Sequence, residues 1–173
     1  MSGMTETEFR DAFHCHSGVL YRFAYRMTGS TSSAEDMVQE CFLVLWRKPQ
    51  AYDPNQGTMR SFLLGIARKL VLKRWRDERP EEPLDDEFLF CVPIDLAQKE
   101  RAESVARAVQ MLPPLQREAL ILAEYEGMSL EEIATATEAE LAAVKSRLHR
   151  ARENLRRMLA PLLEKKRGMY GTK

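Results

Sequence analysis

Residues 128–157 read MSLEEIATATEAELAAVKSRLHRARENLRR. Ser129 and Glu132 have the spacing of a capping box, in which a hydroxyl and a carboxylate each satisfy a backbone N–H at a helix start. Thr137 and Glu140 offer a second such start a few residues on. The stretch therefore predicts two helices joined by a tight turn. In the second, Leu141, Val144, Leu148, Ala151 and Leu155 recur at three- and four-residue spacing and share one packed face. Lys145, Ser146, Arg147, His149, Arg150 and Arg152 fall mostly on the other faces. Cations hold phosphates, and shorter polar groups reach base edges. This is the build of a helix-turn-helix that lays its second helix in the DNA major groove. The plainer alternative is a solvated basic hairpin. The short turn, and Ser146 and His149 set among the cations, weigh against it.

The totals say little about partners, because Lys+Arg 26 balance Asp+Glu 26 over 173 residues. Their distribution says more. Arg60 to Arg76 holds six cations (Arg60, Arg68, Lys69, Lys73, Arg74 and Arg76) and no acid. Asp77 to Glu100 holds nine acids against Arg79 and Lys99. An anionic ligand would be drawn to the two basic zones on either side of that acidic one. Cys15, Cys41 and Cys91 are scattered and odd in number, which fits free thiols in a reducing compartment. The first residues, MSGMTETEFRDAF, lack the apolar core of a secretory signal. No apolar run approaches the roughly 18–20 residues of a membrane span. The expectation is a soluble cytoplasmic protein with no membrane partner.

Strand signals are nearly absent, so the fold class expected is all-α. Thr5 and Glu8 have capping-box spacing ahead of an apolar stripe from Phe9 to Met27. Ser33 is placed to cap a helix over Ala34–Arg47, with Glu35 and Asp36 in its first turn. Pro49, Pro54 and Gly57 mark a loop, and a third helix is expected from about Thr58 to Arg76 with Phe62, Ile66 and Leu70 turned inward. RPEEPLDDEFLFCVP, Arg79–Pro93, suits an acidic flexible linker, although Phe88-Leu89-Phe90 does not fit a pure spacer. Pro113 and Pro114 suit the start of a helix that Gly127 ends. The expected plan is a first domain over 1–79, a linker over 80–99, a helix-turn-helix domain over 100–163 and a tail over 164–173.

The residues on this plan match a known family. VKSRLHRARENLRR, preceded by SLEEIA and LPPLQREAL, resembles the promoter-reading C-terminal domain of extracytoplasmic-function (ECF) sigma factors of bacterial RNA polymerase. Asp36-x-x-Gln39-Glu40-x-Phe42-x-x-x-Trp46 resembles their polymerase-clamp-binding helix, and Ser61 to Arg68, SFLLGIAR, resembles the segment that opens and reads the upstream promoter element. The two resemblances span about residues 9–79 and 100–162. They imply core RNA polymerase and promoter DNA, duplex and melted, as partners, with a regulatory anti-sigma factor besides. By resemblance, Asp36, Gln39, Glu40, Phe42 and Trp46 bind core polymerase. Arg60, Phe62, Arg68, Lys69, Lys73, Arg74, Trp75 and Arg76 bind the melted upstream element, and the loop Asp53–Thr58 forms part of a pocket for a flipped base.

The residue chemistry agrees with these roles. Asp36, Gln39 and Glu40 lie together on one side of their helix, beside apolar area from Val38, Phe42, Leu45 and Trp46, which suits a basic partner helix. Phe42 fits the core better than a contact; Asp36 and Gln39 are the better contact candidates. Cations interleaved with an aromatic suit single-stranded DNA, where a base stacks on a ring for roughly 1–3 kcal/mol. Trp75 fits that role or an interface ring equally. The chain departs from the family pattern in several places. Phe62 stands where a Trp is common, Lys69 where an Asn often reads a base, and Ala143 where a Thr is usual. Glu138 and Ala142 stand where small or glycine residues are usual near the turn.

His14-Cys15-His16 invites a metal reading, but neighbouring helical side chains point about 100° apart and do not converge on one ion. No phosphate loop or nucleophile motif is present, so neither enzyme chemistry nor a cofactor is expected. The rival classes are a stand-alone helix-turn-helix regulator, which leaves the 36–46 helix without a task, and a metal-dependent sensor or enzyme built on His14–His16.

Overall fold

The computed structural model describes residues 4–84, 101–161 and 164, and every regular element in them is helical. Most of the expected linker, with Phe88-Leu89-Phe90 and Cys91, and nearly all of the tail lie outside the described residues.

Three long helices build the first half: α1 Glu6–Thr28, α2 Thr31–Arg47 and α3 Met59–Glu78. The Thr5/Glu8 capping box opens α1, and Gly29, at φ +70, closes it by donating its N–H to Tyr25. That left-handed conformation suits a residue without a Cβ. The start of α2 differs from the expected one. Ser30, with extended backbone, is the cap, and its hydroxyl accepts from the Ser33 N–H at 3.3 Å. The Thr31-Ser32-Ser33 run is itself the first turn, because those residues tolerate helix once a cap precedes them. Leu20, Phe23, Met27, Leu45, Leu63 and Leu64 fill the centre. The expected inward stripe on α3 is corrected too. Phe62, Ile66 and Leu70 are half-buried, and Leu63, Leu64, Ala67 and Val71 form the buried face. Helix α3 is covered on two sides, by α1 and α2 and by the second half, so a one-sided pattern misassigns it.

The second half comprises α4 Arg101–Met111, α5 Pro114–Leu120, α6 Leu130–Thr137 and α7 Leu141–Met158. Pro113 precedes α5 and Pro114 is its first residue, as the missing N–H allows. Helix α5 does not run regularly to Glu126. It widens over Ile121–Tyr125 into a π turn that closes with Glu126 N–H donating to Ile121 C=O at 3.1 Å. Gly127, at φ +65, then reverses the chain. The Ser129/Glu132 capping box opens α6. The second expected box does not form. Thr137 is buried and its hydroxyl donates to Ile133 C=O at 2.7 Å, while Glu140 precedes α7 without a side-chain cap. Of the expected packed face of α7, Val144, Leu148 and Ala151 are buried and Leu141 and Leu155 half-buried. Asn154 and Met158 complete that face. Asn154 is satisfied by donating its amide to Gln116 at 2.8 Å.

The halves pack on each other through α1 and α3 of the first and α4, the π turn, α5 and α6 of the second. Buried Arg117 fastens them, donating to the carbonyls of Met27, Gln110 and Leu112. Burial lowers its pKa to about 10, with Arg79 adding to the effect, so it stays charged at neutral pH.

Candidate polymerase and nucleic-acid interfaces

On α2 the helical period separates core from surface. Asp36, Gln39, Glu40, Leu43 and Trp46 are exposed, and Ala34, Met37, Val38, Cys41, Phe42 and Leu45 are buried. Phe42 is only 3% exposed and packs against the rings of Phe9 and Phe13, so it supports this face from beneath and does not touch a partner. Val38 and Leu45 are core for the same reason. The outward apolar area comes from Trp46 and from Leu43, a residue not singled out from the sequence; both are 48% exposed. With Phe9 and Phe13 they form an apolar patch beside the Asp36–Gln39–Glu40 edge. Glu40 lies two residues beyond buried Val38 and Leu43 one beyond buried Phe42, so helical rotation turns both of them outward.

The basic zone on α3 divides in two. Lys73 and Arg76 are exposed, and Arg74 pairs with Glu78 at 3.1 Å on the same helix. Arg60, Arg68 and Lys69 are engaged by the second half. Arg60 donates to the Glu126 carbonyl at 2.8 Å and to its carboxylate at 3.0 Å. Arg68, with its side chain only 12% exposed, makes a two-pronged contact to Glu118 at 2.5 and 3.3 Å. Lys69 reaches Glu138 at 2.6 Å. Burial pushes the Glu118 carboxyl up, while Arg68 and Arg147 pull it the other way. The bond from Lys69 holds the Glu138 carboxyl below its usual range. Phe62 is half-buried against Tyr52. Trp75 takes the interface position, with the guanidinium carbons of Arg79 and Arg117 at 4.8 and 5.4 Å from its ring centre. The loop Asp53–Thr58 and α3 line a groove of about 250 Å³, closed on its far side by Thr135, Ala136 and Glu138. The Asn55 backbone N–H holds the Asp53 carboxyl low.

On α7, Lys145, Ser146, His149 and Arg152 are exposed and Arg147 and Arg150 half-buried. Arg152 is bound by Glu124 of the π turn at 2.5 Å, a partnership that helical spacing could not reveal because the two lie 28 residues apart. His14 and Cys15 are exposed on α1 and His16 is half-buried. Burial and the nearby Arg60 charge hold His16 below its ordinary pKa. Cys41 is buried, and its thiol is pushed up to about 12. Among the described residues no group of three or more His, Cys, Asp or Glu side chains is placed to hold a metal, and no helix is long and apolar enough to cross a membrane.

Two known families match the two halves of the chain. The Sigma-70 region 2 family matches residues 12–81, and the Sigma-70 region 4 family matches residues 102–155. The ECF RNA polymerase sigma factor SigE of Mycolicibacterium smegmatis is 36% identical over 154 residues, which are 84% of this chain; the chain spans 59% of SigE's length. The ECF RNA polymerase sigma factor SigL of Mycobacterium tuberculosis is 31% identical over 160 residues, 85% of this chain and 86% of SigL. Among solved structures, the sigma factor RpoE in complex with the anti-sigma factor NepR from Bartonella quintana superposes with a TM-score of 0.67 at 25% identity, covering 89% of this chain and 98% of RpoE. CnrH, solved in complex with the cytosolic domain of CnrY, has the same fold, with a TM-score of 0.66 at 23% identity over 92% of this chain and 90% of CnrH. Two regions in order, carried on this helical frame, give the chain its place: it belongs to the ECF RNA polymerase sigma factors and directs the initiation of transcription.

Proposed function

We propose that the chain binds core RNA polymerase through the α2 face formed by Asp36, Gln39, Glu40, Leu43 and Trp46. Helix α3 and the Asp53–Thr58 loop hold the melted upstream element, and α7 reads duplex DNA further upstream. The observation that carries this reading is the sorting of chemistry by face. An acidic and apolar face lies on α2, a cationic face beside the Tyr52 and Phe62 rings on α3, and a separate cationic face with Ser146 and His149 on α7. An acidic face beside exposed apolar area suits a basic helical partner. Cations beside rings suit single strands. A helix with cations and short polar groups suits the major groove. Melting costs a few kcal/mol for each extruded base, and contacts along α3 offset that cost. No bond is made or broken by the chain.

The domain bounds proposed are 1–79 for the polymerase-binding and melting part, 80–99 for the linker and 100–163 for the duplex-reading part. Likeness to a sigma factor crystallised with an anti-sigma factor supports a similar inhibitory partner here. The test is run-off transcription with core polymerase on a randomised promoter library. One sequence class should be enriched among transcribed templates. Absence of any transcript, or of binding to core, overturns the reading.

A further inference from the structure

Three cations that the reading above gives to the melted strand, Arg60, Arg68 and Lys69, each meet a carboxylate from the other half of the same chain. The partners are Glu126 at 3.0 Å, Glu118 at 2.5 Å and Glu138 at 2.6 Å. A carboxylate offers a guanidinium or ammonium the same anionic oxygens as a phosphate. Two further observations show that this closure is built. Glu138 sits at φ 53, a left-handed conformation that an L residue with a long side chain rarely adopts, and from there its carboxylate reaches Lys69. Opposite it, Gly65 lets α3 approach α6 so closely that a Cβ at that position would stand 3.1 Å from the Ala136 carbonyl oxygen. The groove of the Asp53–Thr58 loop is bounded on its far side by this same contact.

We propose that the second half is an intramolecular competitor for the melted strand, with Glu118, Glu126 and Glu138 occupying on α3 the places that DNA phosphates take in the open chain. The inference rests on the assignment of α3 to single-stranded DNA. The charge pairs of the closed state are specific in geometry but shallow in energy. The Lys69–Glu138 pair is more than half exposed and contributes little. The Arg68–Glu118 pair gains Coulomb energy that the loss of hydration largely cancels. Exchanging carboxylates for phosphates keeps the number of charge-assisted bonds, so opening on a promoter is nearly balanced. Lys145, Ser146 and His149 on α7 stay exposed in the closed chain. Duplex reading is therefore available before the single-strand face is, which keeps the chain off stray single-stranded nucleic acid.

The test uses the full chain with Gly65→Leu, a wedge that adds no charge and favours helix, and with Glu138→Lys, which turns the outermost pair repulsive. Small-angle scattering without nucleic acid reads closure, and binding of a labelled oligothymidine strand at fixed salt reads masking. If the closed form outnumbers the open one about tenfold, opening tightens oligothymidine binding by about the same factor. Both variants should have a larger radius of gyration than the parent chain. Gly65→Leu should bind oligothymidine about tenfold more tightly, with duplex binding unchanged. Unchanged dimensions in both variants overturn the inference, as does expansion of Gly65→Leu with unchanged oligothymidine binding. If the expanded variants bind the strand better but neither they nor the parent chain produce a transcript with core polymerase, the masking stands and the promoter-melting assignment falls.

Discussion

At the scale of single residues, Glu138 shows how a local rule is broken for a distant contact. An L residue in the left-handed region costs about 1–2 kcal/mol, and glycine escapes that cost at the expense of some unfolded-state entropy. At high salt the exposed Lys69 pair is screened, so the backbone contribution is isolated. Glu138→Gly should then stabilise the chain by about 0.5–1 kcal/mol in denaturant unfolding; a loss of stability would show that the turn needs the side chain itself. His16 gives a second residue-scale test. Its folded pKa lies below its ordinary 6.5, through burial and Arg60, so the unfolded chain binds the proton more readily. Stability should fall as pH drops from 6.5 through the lower folded pKa, and His16→Gln should remove that part of the slope. An identical pH profile for the variant would remove His16 from the account. These details were legible in the sequence only in part. The Ser129 box was readable because its partners are three residues apart, whereas Thr137 has the same spacing to Glu140 but is buried and bonded to Ile133.

At the scale of elements, α7 and α2 were the clearest because each has one packed face and one exposed face. Helix α3 was misjudged because it is packed on two sides, and which of its cations are covered depends on α5, α6 and the π turn, some fifty to seventy residues away. On α7 the pairing pattern predicts unequal roles. Lys145 is exposed; if it holds a phosphate, Lys145→Ala should flatten the salt dependence of promoter binding by about one unit. An unchanged slope with altered base preference would instead make Lys145 a base reader. Arg152 begins bound to Glu124, so Glu124→Gln should tighten duplex binding, most visibly at low salt. Weaker binding would mean that Glu124 positions Arg152 for DNA. On α2, Asp36 is exposed near the helix start, so Asp36→Lys should weaken binding to core polymerase while circular dichroism keeps its helical signal. Full affinity for core would exclude Asp36 from the polymerase face.

At the scale of the whole molecule, a buried charge pair is one of the contacts that hold the two halves together, and what that pair contributes depends on whether the halves can part. Arg68→Met leaves Glu118, of which 2% of the side chain is exposed, without its two-pronged partner. In a rigid interior, stranding one member of a buried pair costs about 3–5 kcal/mol. Here the molecule has a second course, because separating α5 from α3 returns the Glu118 carboxylate to water. The loss is then capped by the free energy of opening, which a tenfold preference for the closed form sets at about 1.4 kcal/mol. Arg68→Met should therefore lower global stability by less than about 2 kcal/mol, enlarge the radius of gyration and leave two separable unfolding transitions. Arg68→Met combined with Glu118→Leu replaces the pair by apolar groups and should restore the compact dimensions and most of the stability. A loss of about 3–5 kcal/mol in the single variant, with no expansion, would mean that the halves are welded and that polymerase and promoter DNA must find their faces on a rigid body.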